Sequence, residues 1–260
     1  MQHADECLRS GDLDGARVAL VEHIKAHPAD PGGRMFLFQL LALAGDWDKA
    51  RTHLAALARI SPEAQMLSVV YNQAIEAEAH RRDVFAGRER ALVIRGAWAE
   101  GMAEALQHYA CGDRAAGDEA RNRALDDAPD TPGEIDGTRF DWIADADSRF
   151  GPTFEAILHG RYGLVAFSEV KRITSEGPKD LRDMVWYPVQ LEFREGQSAA
   201  ALLPARYPGS ESSTEPQARL GRSTAWAEDA TGNHGVGQHL LTISTGQERG
   251  LLTIQSLVFD

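Results

Sequence analysis

A chain of 260 residues can bury one large core or two modest ones, and with 43 % apolar and 25 % charged residues it has the make-up of a folded globular protein rather than a disordered one. The formal net charge of −12 opposes non-specific nucleic-acid binding, which needs clustered Lys and Arg. The first residues, MQHADECLRSGD, lack a basic stretch leading into an apolar one, and no run of eighteen apolar residues occurs anywhere. A cytoplasmic protein without membrane insertion is expected. Cys7 and Cys111 are the two cysteines, and without CxxC or Cys/His spacing they predict neither a disulfide framework nor a zinc site.

The first half carries an internal repeat. Gly11-Asp12 recurs as Gly45-Asp46 thirty-four residues later, and Ala16-Arg17, Leu20 and Pro28 return at the same offset as Ala50-Arg51, Leu54 and Pro62. That period is the tetratricopeptide one. Gly112-Asp113 and Pro129 repeat the seventeen-residue step from Gly to Pro, so three helix pairs are predicted. In each, Gly tolerates the left-handed conformation that ends one helix and Asp opens the next. The run Met35 to Leu43 is apolar nearly all round, which predicts a helix buried on several sides. Gln65 to Gly87, then Arg88 to Ile94, read as additional helix, with Tyr71, Ile75 and Ala79 on one stripe. Stacked helical hairpins either present a groove for a peptide or helix or merely pack against the rest of the chain, and the pattern leaves both open.

Between Gly133 and Tyr162, Phe140, Ile143, Phe150, Phe154, Ile157 and Leu158 recur mostly at three- and four-residue steps. This spacing predicts two short helices, or one kinked at Gly151-Pro152. Asp136, Asp141, Asp145, Asp147, Arg139 and Arg149 lie among them, and on a helix Asp145 and Arg149 would pair four apart while Asp145 and Asp147 would diverge. From Gly163 the period shortens. Leu164 to Phe167, Val185 to Phe193, Ala199 to Leu203, Ser223 to Trp226, His239 to Ile243 and Leu251 to Phe259 read as short strands of a small antiparallel sheet or partly closed barrel, with Pro208 to Ser213 as an exposed loop. The fold class is therefore α+β: a tetratricopeptide-like helical half over 1–132, a helical linking segment over 133–162, and a β-rich part over 163–260.

Candidate chemistry is sparse. The carboxylates between Asp141 and Asp147 could serve a hydrolase or a metal-dependent enzyme, but no EF-hand spacing, HExxH, GxSxG or phosphate loop completes them. His234 and His239 flank a Gly-rich turn and lack a third ligand. No cofactor, bound metal or small-molecule substrate is expected.

The run FDWIADADSRFGP, followed in order by Gly160-Arg161-Tyr162, DLRDMVWYP at 180–188, PARYPGSE at 204–211 and RSTAW at 222–226, with GDWDKA at 45–50 ahead of it, resembles the TagJ/ImpE family, accessory proteins of bacterial type VI secretion systems. The likeness spans nearly the whole chain. It implies a non-enzymatic adaptor whose partner is the N-terminal helix of the small subunit of the contractile sheath, with an influence on handling of the sheath by its disassembly ATPase; a scaffold for another secretion component is the alternative. Asp136, Arg139, Phe140, Trp142, Asp145, Asp147, Arg149, Arg161, Arg182, Trp186, Arg206 and Trp226 form the candidate partner-binding or interdomain signature. Arg161, Arg182, Arg206 and Arg222 are expected to pair with the aspartates and lock the two halves.

Overall fold

A computed structural model describes residues 1–260. The three predicted helix pairs are present: α1 (Gln2–Ser10) with α2 (Leu13–Ala26), α3 (Pro31–Leu43) with α4 (Trp47–Ala58), and, beyond the long α5 (Glu63–Phe85), α6 (Glu100–Ala110) with α7 (Arg114–Asp127). Gly11, Gly45 and Gly112 sit between the members of each pair at φ of 88°, 70° and 80°. Asp12 and Asp113 then cap the following helices by accepting from Gly15 N and Ala116 N. The second helix of each pair ends before Pro28, Pro62 and Pro129, as the repeat predicts. α3 is buried all along Leu37 to Leu43.

The stretch after α5 departs from expectation. Val93–Arg95 is a strand, β1, rather than helix, and it joins the sheet parallel to a partner seventy residues on. The helical reading of 133–162 is also overturned. That segment holds β2 (Gly133–Ile135), β3 (Thr138–Phe140), β4 (Ile143–Asp145), β5 (Thr153–Leu158) and the start of β6 (Arg161–Ala166). Its helix-like spacing arises because three-residue strands alternate with two-residue turns, so inward positions fall three or four apart. The turn signals are Asp136-Gly137 and His159-Gly160, where both residues of each pair have positive φ, the requirement of a type I′ hairpin. β5 is buried on both faces and so reads as a continuous apolar run, which periodicity alone cannot separate from helix.

The remaining elements are β7 (Val170–Thr174), β8 (Trp186–Phe193), β9 (Ser198–Pro204), the one-turn α8 (Pro216–Arg219), β10 (Thr224–Asp229), β11 (Gly232–Gly237), β12 (Leu240–Ile243), β13 (Glu248–Gly250) and β14 (Ser256–Phe259). Leu251–Thr253, expected as strand, is a short 3-10 turn. The sheet is larger than the sequence suggests: nine strands in the order β1-β6-β5-β9-β8-β7-β14-β2-β3, with β13-β12-β4 and the β10-β11 ribbon beside it. All pairings in the nine-stranded sheet are antiparallel except β1 with β6.

One apolar core runs through the helices and continues into Phe150, Ile157, Tyr162, Leu164, Val185, Trp186, Tyr207 and Leu220; a second lies inside the sheet, around Phe154, Tyr187, Leu203 and Leu257. Trp186, fully buried, packs its ring 5.4 Å from Tyr71 and 5.7 Å from Trp47. The helices and the sheet are therefore joined by shared packing, not by a linker. The expected exposed loop at 208–213 also docks: Ser210 is wholly buried, and a side chain at Gly45 would meet Glu211 Cγ at 3.0 Å.

Candidate functional site

Where α5 crosses the sheet, a chain of buried polar groups replaces the apolar core. Glu78 and Arg81, one turn apart on α5, face Glu155, the lone charge in the strand TFEAIL. Arg81 Nε and Nη2 donate to the two Glu155 oxygens at 2.7 Å each, Nη2 donates also to Arg206 O at 2.8 Å, and Nη1 lies 3.5 Å from Glu78. Glu155 further accepts from Tyr162 Oη at 2.6 Å and from His239 Nε2 at 2.9 Å. His239 Nδ1 contacts Asp145 at 2.6 Å, and Asp145 accepts from Tyr207 Oη at 2.6 Å and Asp147 N at 2.8 Å. Trp186 Nε1 donates to Glu78 at 3.0 Å. Apart from the Arg206 carbonyl, every acceptor in this set is a carboxylate, the arrangement that makes burial of ionised groups tolerable.

The charges follow from those contacts. Burial alone would strip the His239 proton, but the carboxylates of Asp145 and Glu155 on either side hold the imidazolium up to about 9. Burial likewise pushes Glu155 up, and Arg81 with His239 reverses this and leaves it at about 2. The cavity beside Asp145, Glu155 and His239 is about 30 Å³ and otherwise apolar, room for roughly one or two waters. No group of three or more His, Cys, Asp or Glu side chains is arranged to hold a metal ion.

The expected signature residues do not gather at one place. Asp145 and Asp147 are buried together at this junction, not divergent, and Arg149 pairs with Asp147 at 2.7 Å instead of with Asp145. Asp136, at φ 44°, ties the β2–β3 turn to the start of the last strand by accepting from Ser256 N at 2.8 Å; Arg139 pairs with Asp260 on the surface; Phe140 is core against Phe259. Trp142 and Trp226 are 44 % and 46 % exposed, and Arg161 and Arg222 are exposed too. The arginine lock is corrected as well. Arg182 pairs with its neighbour Asp180 and lies 5.0 Å over the Tyr71 ring, and Arg206 reaches the Arg219 carbonyl; neither touches the Asp cluster. The buried guanidinium that pairs with a sheet carboxylate across the junction is Arg81, and His239, which the sequence places beside a Gly-rich turn, is central. Single charges inside buried runs, Glu155 in β5 and Glu78 with Arg81 in α5, are the sequence signal for both.

Three surface features flank the junction. A cleft of about 760 Å³ lies between α5 and the sheet, lined by Val70, Tyr71, Arg182, Pro188, Gln190 and Leu202 among others. Val70 lines it, and α5 leaves Met66, Val69 and Val70 exposed at 75, 57 and 45 %. A shallower groove of about 300 Å³ runs over α2, α3 and α4 by Val18, Val21 and His53. The third pocket, about 280 Å³, opens between α4, α5 and the turn at 206–211.

Helical repeats braced on a sheet by a buried ion network, with exposed apolar grooves, define an α+β protein built on tetratricopeptide-like repeats. Residues 137–258 match the family described as ImpE protein, and residues 8–70 match a tetratricopeptide repeat. The chain is 39 % identical to the type VI secretion system accessory component TagJ of Pseudomonas aeruginosa, over 99 % of this chain and 91 % of that one. It belongs to the TagJ/ImpE family of type VI secretion accessory proteins. A crystal structure of a Vibrio parahaemolyticus protein has the same fold, with a TM-score of 0.87 at 21 % identity, covering 99 % of this chain and 97 % of the other. No helix is long and apolar enough to cross a membrane.

Proposed function

We propose that the chain is a non-enzymatic adaptor of the type VI secretion system that receives an amphipathic helix, the N-terminal helix of the small sheath subunit, and through it influences handling of the sheath by its disassembly ATPase. The observation that carries the docking is the exposed stripe Met66, Val69, Val70, spaced i, i+3, i+4 along α5 and reaching a cleft of about 760 Å³ at Val70. A helix laid on that stripe buries apolar surface on both partners, a recurrent mode of recognition. About three turns further along α5 the Arg81–Glu155 fork ties the helix to the sheet, so the stripe is offered on a rigid support. The assignment of the partner rests on membership of the family.

The enzymatic alternative has less support. The carboxylates of Asp145 and Asp147 are committed to Tyr207, His239, Arg149 and backbone donors, and the adjoining cavity has no room for a substrate. The test is a pull-down of sheath subunits by the full chain, with and without the first helix of the small subunit, repeated with Met66→Glu/Val69→Glu. Capture should need that helix and fall by about tenfold or more in the double variant, since each apolar anchor carries on the order of 1–2 kcal/mol. Capture that ignores the helix overturns the proposal.

A further inference from the structure

The pocket between α4, α5 and the 206–211 turn is where three of the motif stretches meet, with Trp47 from the first, Val185 from the second, and Arg206, Tyr207, Pro208, Gly209 and Glu211 from the third. α5 supplies Glu78, Arg81, Arg82 and Phe85. The junction network uses Arg81 and Glu78 but leaves the other two guanidinium groups uncommitted. Arg206 is only 6 % exposed, its Nη1 donates to the Arg219 carbonyl, and its Nε is buried with no partner. No carboxylate forms an ion pair with it. Burial, the first influence on this group, brings it down to about 10, and Glu211 only partly offsets the effect. Arg82 stands exposed at the rim and forms no ion pair.

A buried guanidinium without an anion is an expensive arrangement, because its desolvation is uncompensated, and it persists in folds mainly where something else supplies the negative charge. Of the acids already present, Glu78 is held by Trp186 and Arg81, and Glu211, whose side chain packs across Gly45, forms no ion pair with Arg206. The planar fork of arginine matches a carboxylate edge, and Trp47, Phe85 and Tyr207 give the pocket aromatic walls suited to a short carbon body. A volume of about 280 Å³ suits a ligand of few heavy atoms or one inserted side chain.

We propose that this pocket binds a carboxylate, seated on Arg206 at its floor and met by Arg82 at its rim. The site is independent of helix docking at Met66, Val69 and Val70, since the twelve residues from Val70 to Arg82 separate them by roughly 18 Å of helix. The carboxylate is either that of a free small acid or that of an acidic side chain carried by a bound protein.

Calorimetric titration of the full chain at low salt with succinate, with a blocked pentapeptide carrying one central Glu, and with inorganic phosphate tests the site. Saturable binding of succinate or of the pentapeptide is expected, whichever of the two binds identifying the source. Arg206→Lys should weaken it by about tenfold through loss of the fork, and Arg82→Gln by roughly threefold. Arg82 is exposed, so Arg82→Glu keeps the test decisive if the Arg206 variant fails to fold, and it should abolish binding. Phosphate bound in place of both carboxylates, no saturation up to about 50 mM of either, or unchanged affinity in the Arg82 variants would overturn the proposal.

Discussion

Arg81 and Arg206 are both buried, at 8 % and 6 % exposure, and the backbone carbonyl of one accepts from the side chain of the other. Their surroundings are opposite. Arg81 forks onto Glu155 with Glu78 beside it, and those carboxylates outweigh burial and hold its proton tightly; Arg206 has one carbonyl partner, and burial lowers it to about 10. Identical chemistry at identical depth thus does two jobs. The paired arginine holds the helices to the sheet, and the unpaired one, with a buried Nε that has no partner, lines the pocket to which we assign carboxylate binding.

The largest expected effect comes from breaking the paired side. Arg81→Ala strands Glu155 beside Tyr162 without its main counter-charge, and removal of one member of a buried pair typically costs about 3–5 kcal/mol. Denaturant midpoints measure this, and a loss under about 1 kcal/mol would show that the network does not hold the junction. Arg81→Met combined with Glu155→Gln should recover part of the loss, because no lone charge remains.

The same network makes stability depend on pH. His239 is raised from 6.5 to about 9 on folding, so its contribution is complete below pH 6.5 and disappears as pH rises through 9. Glu155 is lowered from 4.5 to about 2, so its contribution is complete above pH 4.5 and disappears as pH falls towards 2. Thermal melts should plateau between about pH 4.5 and 6.5, then decline towards pH 9 by about 3 kcal/mol from His239. His239→Gln should flatten the alkaline limb; an unchanged limb would assign it to other groups.

A smaller effect is expected at the turn between α3 and α4. Gly45→Val places a β-branched residue at φ 70° and drives its Cβ to 3.0 Å from Glu211 Cγ, for a loss of about 1–2 kcal/mol. A variant that melts with wild type would show that this turn relaxes freely. The smallest effect falls on the unpaired side: Arg206→Met should change stability by under about 1 kcal/mol in either direction, since a buried charge without a partner gives the fold little to lose. A loss as large as that of Arg81→Ala would erase the contrast between the two arginines.

The helical repeats were readable because their determinants are local. A Gly at φ near 80° and an Asp cap lie within a few residues of the helices they govern, and a thirty-four-residue period exposes them. The segment 133–162 misled for an equally local reason, since short strands and two-residue turns imitate helical spacing; Asp136-Gly137 was the signal that should have outweighed it. The junction network was not readable at all in its pairing. Arg81 meets Glu155 across 74 positions and His239 meets Asp145 across 94, and nothing in a single sequence ties such residues together. What could be read was the oddity of each charge in its apolar surroundings. The pocket around Arg206 was legible only as separate motifs, whose convergence on one cavity depends on the crossing of α5 over the sheet.

The position of β14 carries a consequence for the order of folding. It lies between β7 and β2, pairing Leu257 with both Ile173 and Ile135, so the hairpin of β2 and β3 has no place in the main sheet until residues more than a hundred positions later have been made. During synthesis the repeats can close from neighbouring contacts while this hairpin waits, an isolated two-stranded unit of marginal stability. Refolding should therefore be biphasic, with helical circular dichroism recovering ahead of the protection of Ile135 and Ile173 amides against hydrogen exchange; simultaneous recovery would mean that helices and sheet form in one step.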